Sequence, residues 1–234
     1  LTFERRRSEV LEWVEDNLDP VAFNDGERSL GLAFGHSDMR ISFTRHSLML
    51  SSGASGGAME SHLDAALRGI LDALTPAQTR VKSIMFKASG ALEGVDYLET
   101  RQRFAQRAHG GGLGLGEWRT TDAAVLSDIE TDEFEGQVDY GVVEQGEIRD
   151  RVLDPGLGRT GSSAEAASPQ ELDRRLADAP EVSVFADALV VPLSGDFVAS
   201  SADIWRTYAT AESQVLRLTD SLTAAIANLG GSDE

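Results

Sequence analysis

Three stretches of this chain have residue types and spacings that could do chemistry. Gly53-Ala54-Ser55-Gly56-Gly57 has the G-x-S-x-G spacing that lifts a serine nucleophile onto a strained strand-to-helix turn. His109-Gly110-Gly111-Gly112 has the form of an esterase oxyanion loop. Serine hydrolysis on that plan needs the oxyanion loop before the elbow and a general-base histidine after the acid. Here the order is reversed and no histidine follows His109, so Ser55 reads as part of a flexible entry to a helix. Gly156-Leu157-Gly158-Arg159-Thr160-Gly161 matches G-x-G-x-x-G, which seats a pyrophosphate only between a strand and a helix. Asp154-Pro155 precedes it and residues 162–168 follow with no helical period, so it reads as a loop. No G-x-x-x-x-G-K-[ST] occurs, which excludes a P-loop nucleotide enzyme.

Metal chemistry fares no better. Asp128, Glu130, Asp132, Glu133, Glu135 and Asp139 supply oxygen ligands for a hard cation, but an EF-hand loop starting at Asp128 needs glycine at its sixth position and has Glu133. The run reads as a solvated strand edge and turn, with a weak cation site as the alternative. His36, His46, His62 and His109 show no H-x-x-x-H or H-E-x-x-H spacing, and with no cysteine there is no thiolate site or disulfide. No metal or cofactor is expected. One cluster stays open: Arg103, Arg107, His109, Gly110, Gly111, Gly112 and Arg119, with Arg101 beside them. Guanidinium groups next to free backbone N–H groups in a glycine loop suit an anionic ligand or an acidic partner segment. The alternative is that these arginines neutralise acids of the same chain.

The whole-chain charge limits the partners. Residues 1–120 carry 16 acids against 14 bases and residues 121–234 carry 23 against 7, so −16 of the net −18 lies in the second part. Such a field repels nucleic-acid phosphate and anionic membrane. An acidic surface for solubility is the plain reading, and a nucleic-acid mimic that occupies a basic site is the other. No apolar run approaches the roughly 18 residues of a membrane span, and the chain reads as cytoplasmic. Leu1 in place of Met reads as a start inside a longer product, leaving open what precedes it.

Periodicity names the elements that must position these residues. With 234 residues and 41% hydrophobic composition, the chain reads as a single α+β domain: an antiparallel or mixed sheet, amphipathic helices packed on it, and a long C-terminal helix across it. A helix is expected over residues 2–18 with Val10, Leu11, Val14 and Leu18 as its stripe, then a strand with Leu30, Leu32 and Phe34 on one face. A hairpin over 40–50 turns near 45–47, and a second helix carries Met59, Leu63, Leu67, Ile70, Leu71 and Leu74 on one face. Residues 81–88 read as a strand with Ile84, Phe86 and Ala88 on one side. Asp96 with Glu99 forms a capping box for a third helix ending near Ala108. Residues 125–130 and 138–143 read as paired strands around an acidic turn, and a helix opens at Ser168-Pro169. The glycine-rich loop 109–116 and a mobile loop 153–168 separate these elements.

Residues 182–191 are apolar on both parities except at Asp187, the pattern of a central strand. The last and strongest signal is residues 201–229, where Ile204, Tyr208, Ala211, Val215, Leu218, Leu222, Ala225 and Leu229 recur at spacings of four and three. At about 1.5 Å per residue this helix is on the order of 40 Å long, enough to cover a sheet.

The order of hairpin 40–51, helix 59–74, strand Arg80-Val81-Lys82-Ser83-Ile84-Met85-Phe86-Lys87 and the closing strand and helix over 182–229 resembles a sporadically distributed bacterial family of comparable length and unknown function. That family's strand has the form R-[hydrophobic]-G-L-R-Y-x-N. The resemblance implies an α+β sheet and no assigned activity. Because each catalytic motif fails its context, the leading expectation is a non-catalytic interaction or accessory protein of a bacterial multi-protein system. The alternatives are an anion- or nucleotide-binding domain, with catalysis open, and an acidic mimic-type inhibitor.

Overall fold

The computed structural model describes residues 2–18, 22–25, 29–33, 40–44, 47–51, 57–74, 79–108, 123–148, 177, 179–195 and 200–230. The chain is α+β. It divides into two compact units, one centred on residues 1–80 and one on residues 81–154, 169–196 and 206–234, where the sequence reads as one domain. Each has its own four-stranded antiparallel sheet.

The first unit holds α1 (Thr2–Leu18), β1 (Ala22–Asp25), β2 (Ser29–Ala33), β3 (Arg40–Thr44), β4 (Leu48–Ser51) and α2 (Gly57–Leu74). Its strands pair in sequence order, the outcome of short connections between successive antiparallel strands. Leu32 lies opposite Ile41, and Ile41 opposite Leu50, so one apolar row crosses three strands. Val10 and Val14 of α1 and Ala66 and Ile70 of α2 close onto that row. The two helices meet where the Trp13 indole lies over Gly69; a Cβ at Gly69 would overlap the ring. The expected helices and the 40–50 hairpin are all present.

The second unit holds β5 (Ile84–Ala91), α3 (Tyr97–Ala108), β6 (Ala124–Glu130), β7 (Phe134–Glu144), α4 (Gln145–Ile148), β8 (Val182–Pro192) and most of α5 (Ser201–Ala227), which ends in a 3-10 turn, Asn228–Gly230. The strand order is β5-β8-β7-β6. The run read as a central strand is therefore central, inserted between strands that precede it by about 40 to 100 residues in the chain.

Alternation sets the two faces of this sheet. Val182, Val184, Ala186, Ala188 and Val190 of β8 and Phe134, Val138 and Val142 of β7 point to α5, where Ala211, Val215 and Ile226 meet them. From Phe134 to Val142 the strand advances about 27 Å, and from Ala211 to Ile226 the helix advances about 22 Å, so one helix covers the length of the sheet. Fully burying each valine contributes on the order of 1.5–3 kcal/mol. Small residues let the helix approach: a Cβ at Gly90 would collide with Thr223 of α5.

Several boundaries move from expectation. β5 runs over Ile84–Ala91 and not 81–88, because its ladder with β8 spans Ile84 opposite Val190 to Ala91 opposite Ser183. β7 starts at Phe134 and not at residue 138. Glu135 and Asp139 take the outward parity while Phe134 and Val138 keep the inward one, so the charges mask a strand. The four-residue α4 carries too few residues to show a period. The 109–116 and 153–168 loops and the helix expected from Ser168 lie outside the described residues.

Candidate functional site

The arginine cluster is the place to begin. Asp96 caps α3 by accepting the Glu99 N–H at 2.8 Å. One turn on, Arg103 donates from Nη2 to Glu99 Oε1 at 2.6 Å and from Nη1 to the Leu229 carbonyl at 3.0 Å. A guanidinium on a carbonyl in the turn that ends α5 satisfies an acceptor the helix leaves open and opposes the negative end of its dipole. Arg103 thus fixes the end of the long helix. Arg107 is exposed in the last turn of α3 and lies on the same face, four residues on. His109, Gly110, Gly111, Gly112 and Arg119 lie outside the described residues.

Arg101 points elsewhere and joins a cluster that sequence reasoning missed. Its Nη1 donates to Tyr97 Oη at 2.7 Å, and Tyr97 donates to Glu147 Oε2 at 2.8 Å. The same carboxylate oxygen accepts the Glu144 N–H at 3.3 Å. Burial and the bond to the Glu147 carboxylate push the Tyr97 phenol up to about 12, against the lowering effect of Arg101. A tyrosine working as a proton-transfer group needs the opposite shift, towards the operating pH. Tyr97 instead stays a permanent donor that pins α4 to α3. Glu147 is 50 residues away in sequence, and no local pattern marks it.

Other chemistry is thin. Among the described residues no group of three His, Asp or Glu is placed to hold a metal ion. Ser183 Oγ is fully buried and has no hydrogen-bond partner among the described residues, hence no base to activate it. No described helix is long and apolar enough to cross a membrane.

The outer face of the second sheet, opposite α5, is different in character. At one end Ile148 of α4 covers Val143 and Phe185, with Ala179 packed against them. Beyond that cover Met85 is 68% exposed, Leu126 66% and Leu189 39%. The register arranges them. Met85, Leu189, Gln137 and Asp128 form one row across the four strands; Lys87, Asp187, Asp139 and Leu126 form the next; Val191, Glu135 and Glu130 form a third. Gln137 Nε2 donates to Asp128 Oδ1 at 3.0 Å, tying β7 to the edge strand β6.

The face therefore presents large apolar side chains among Asp128, Glu130, Glu135, Asp139 and Asp187, with Lys87 as the base in these rows. Four strands at about 4.8 Å span about 15 Å, and three rows at about 6.8 Å span about 14 Å, room for one helix about 10–12 Å in diameter. The acidic run was legible as a solvated edge and turn. That Asp128, Glu135 and Asp139 share one sheet face with Met85 and Leu189 was not, because those residues lie on other strands.

Comparison of the chain with protein-family models, curated proteins and solved structures finds no match.

Proposed function

We propose that this chain is a non-catalytic interaction protein, a cytoplasmic accessory component of a bacterial multi-protein assembly, and that it docks a basic amphipathic segment of a partner protein. The supporting observation is the open end of the second sheet's outer face, where Met85, Leu126 and Leu189 stand exposed on a surface that also carries five carboxylates. Isolated surface apolar residues are ordinary; the cross-strand pair Met85 and Leu189, with Leu126 across β7 and carboxylates between and beside them, has the mixed apolar and charged anatomy of an interface. The carboxylates set the sign of the partner. A helix with an apolar stripe flanked by Lys or Arg matches both features, and electrostatic steering speeds its arrival.

The mimic reading needs carboxylates spaced as phosphates and has no use for the apolar centre. The anion-ligand reading now rests on Arg107 and on residues 109–119, since Arg103 holds Glu99 and Leu229.

The test is fluorescence anisotropy with a Leu/Lys amphipathic helical peptide and its Leu/Glu counterpart. The basic peptide binds, its affinity falls as salt rises, and Leu189→Asp weakens it by at least about tenfold, or 1.4 kcal/mol. Equal binding of both peptides, or binding indifferent to Leu189→Asp and Met85→Asp, overturns the proposal.

A further inference from the structure

The two edges of the second sheet are opposite in charge. β5 forms one edge and β6 the other, and among the described residues each has a strand partner on one side only. From residue 79 to 92 the chain carries Arg80, Lys82 and Lys87 and no acid; from residue 120 to 148 it carries acids and no Lys or Arg. Natural sheets blunt an edge with charge, proline or a bulge. Neither β5 nor β6 contains proline, and the register of each runs without a break. Charge is the remaining device. Opposite signs on the two edges keep β5 from β5 and β6 from β6, and they favour β5 with β6.

The apolar side chains at these edges are also only half covered. β7 and β8 bury residues along the α5 face, whereas β5 and β6 contain no buried residue. Ile84, Phe86, Val125 and Ile129 pack against the core and stay partly exposed.

We infer that copies of this chain associate head to tail, β5 of one copy pairing antiparallel with β6 of the next to continue the sheet. The directions agree: β5, β8, β7 and β6 alternate, so β6 of the next copy runs opposite to β5 with α5 on the same side. Aligning Ala91 with Ala124 of the next copy pairs all seven residues of β6. That register places Lys87 opposite Asp128 on the outer face and Phe86 opposite Ile129 on the α5 side. Lys87 lies opposite Asp187 as well, and an ammonium has three donors to share. Repeats of four strands at about 4.8 Å set successive α5 helices about 19 Å apart, wider than one helix of about 10–12 Å. One ladder is a small interface, so the association is weak and reversible. The seam shares Lys87 and Asp128 with the docking face but lies at the sheet edges, away from Leu189 on β8.

The test is sedimentation velocity on the full chain across a concentration series up to about 1 mM, the range of weak association. The net −18 of each copy opposes association at long range; at about 0.15 M salt, with a Debye length of about 8 Å, distant charges are screened and the contact pair is retained. Wild type self-associates as concentration rises. Lys87→Glu alone and Asp128→Lys alone each set like charges opposite one another at the seam and weaken self-association by about tenfold. An equimolar mixture of the two variants recovers it, because each edge of one then meets an opposite charge on the other. Both positions are exposed, so neither change disturbs the core. A monomeric wild type, self-association unchanged in either variant, or a mixture no more associated than its parts overturns the inference. Leu189→Asp leaves sedimentation unchanged while it weakens peptide docking, so the two proposals fail separately.

Discussion

The two faces of the second sheet are made by alternate residues of the same strands and end up in opposite conditions. On the α5 side Val138, Val142, Val184, Ala186 and Ala188 are at most 2% exposed. On the other side Met85 and Leu126 are about two-thirds exposed among carboxylates. The long helix α5, joined at one end by Phe104 and Ala105 of α3, closes the first face. Among the described residues the second face is covered by α4, four residues long and held by Tyr97 through Glu147, together with Ala179, and that cover stops short of Leu189. A sheet face is closed by what the topology brings to it and not by its own composition: apolar residues are present on both faces, and among the described residues one of them has a full cover.

That contrast can be broken or sharpened by substitution. Val138→Asp places an unpaired carboxylate beneath α5 and costs more than about 4 kcal/mol, so the cooperative thermal transition of the second unit is lost. A transition that survives unshifted would mean the inner face is not a packed core. Gly90→Ala pushes a methyl into Thr223 and lifts α5 from the sheet, at a cost of about 1–3 kcal/mol by urea denaturation. The double variant with Thr223→Ala recovers part of that loss, as coupled neighbours do.

Tyr97→Phe probes the α4 cover on the outer face through pH. The folded phenol titrates at about 12, above its ordinary 10, so between those values the native chain keeps a proton that the unfolded chain has lost. Stability from this group is complete below about pH 10 and falls as pH rises towards 12. The Phe variant lacks that fall, and the melting-temperature gap between wild type and variant narrows across the window. A constant gap would show that the phenol is not held protonated by its surroundings. Smallest of all, Leu126→Asp on the outer face changes stability by no more than about 0.5 kcal/mol. Its effect is on peptide binding, and a large loss of stability would mean that this face is covered.

Much of the scaffold was legible because period and punctuation are local. Asp96 with Glu99 marked the start of α3, and the Glu99 N–H does bond Asp96. The four-three spacing of Ala211, Val215, Leu218 and Leu222 identified the face of α5 that packs on the sheet. The candidate site was far less legible. Arg103 read as a ligand-binding group and is engaged by Glu99 and by a carbonyl 126 residues away. The acidic turn read as surface, and Phe134 inside it belongs to the core.

By itself the sequence determined most of the helices and strands, though not β1, α4 or the ends of β5 and β7, that β8 is a central strand, and that the acidic charge lies in the second half. Those properties follow from side-chain alternation, helical spacing and simple counting, which need no knowledge of neighbours. Only the tertiary structure decided that β8 enters between β5 and β7, that Met85 and Leu189 share a row with Asp128, and that Ala211 and Val215 pack with Phe134 and Val190. Each depends on register and on helix approach between segments tens of residues apart. Nothing in the local pattern of either segment encodes which partner it meets.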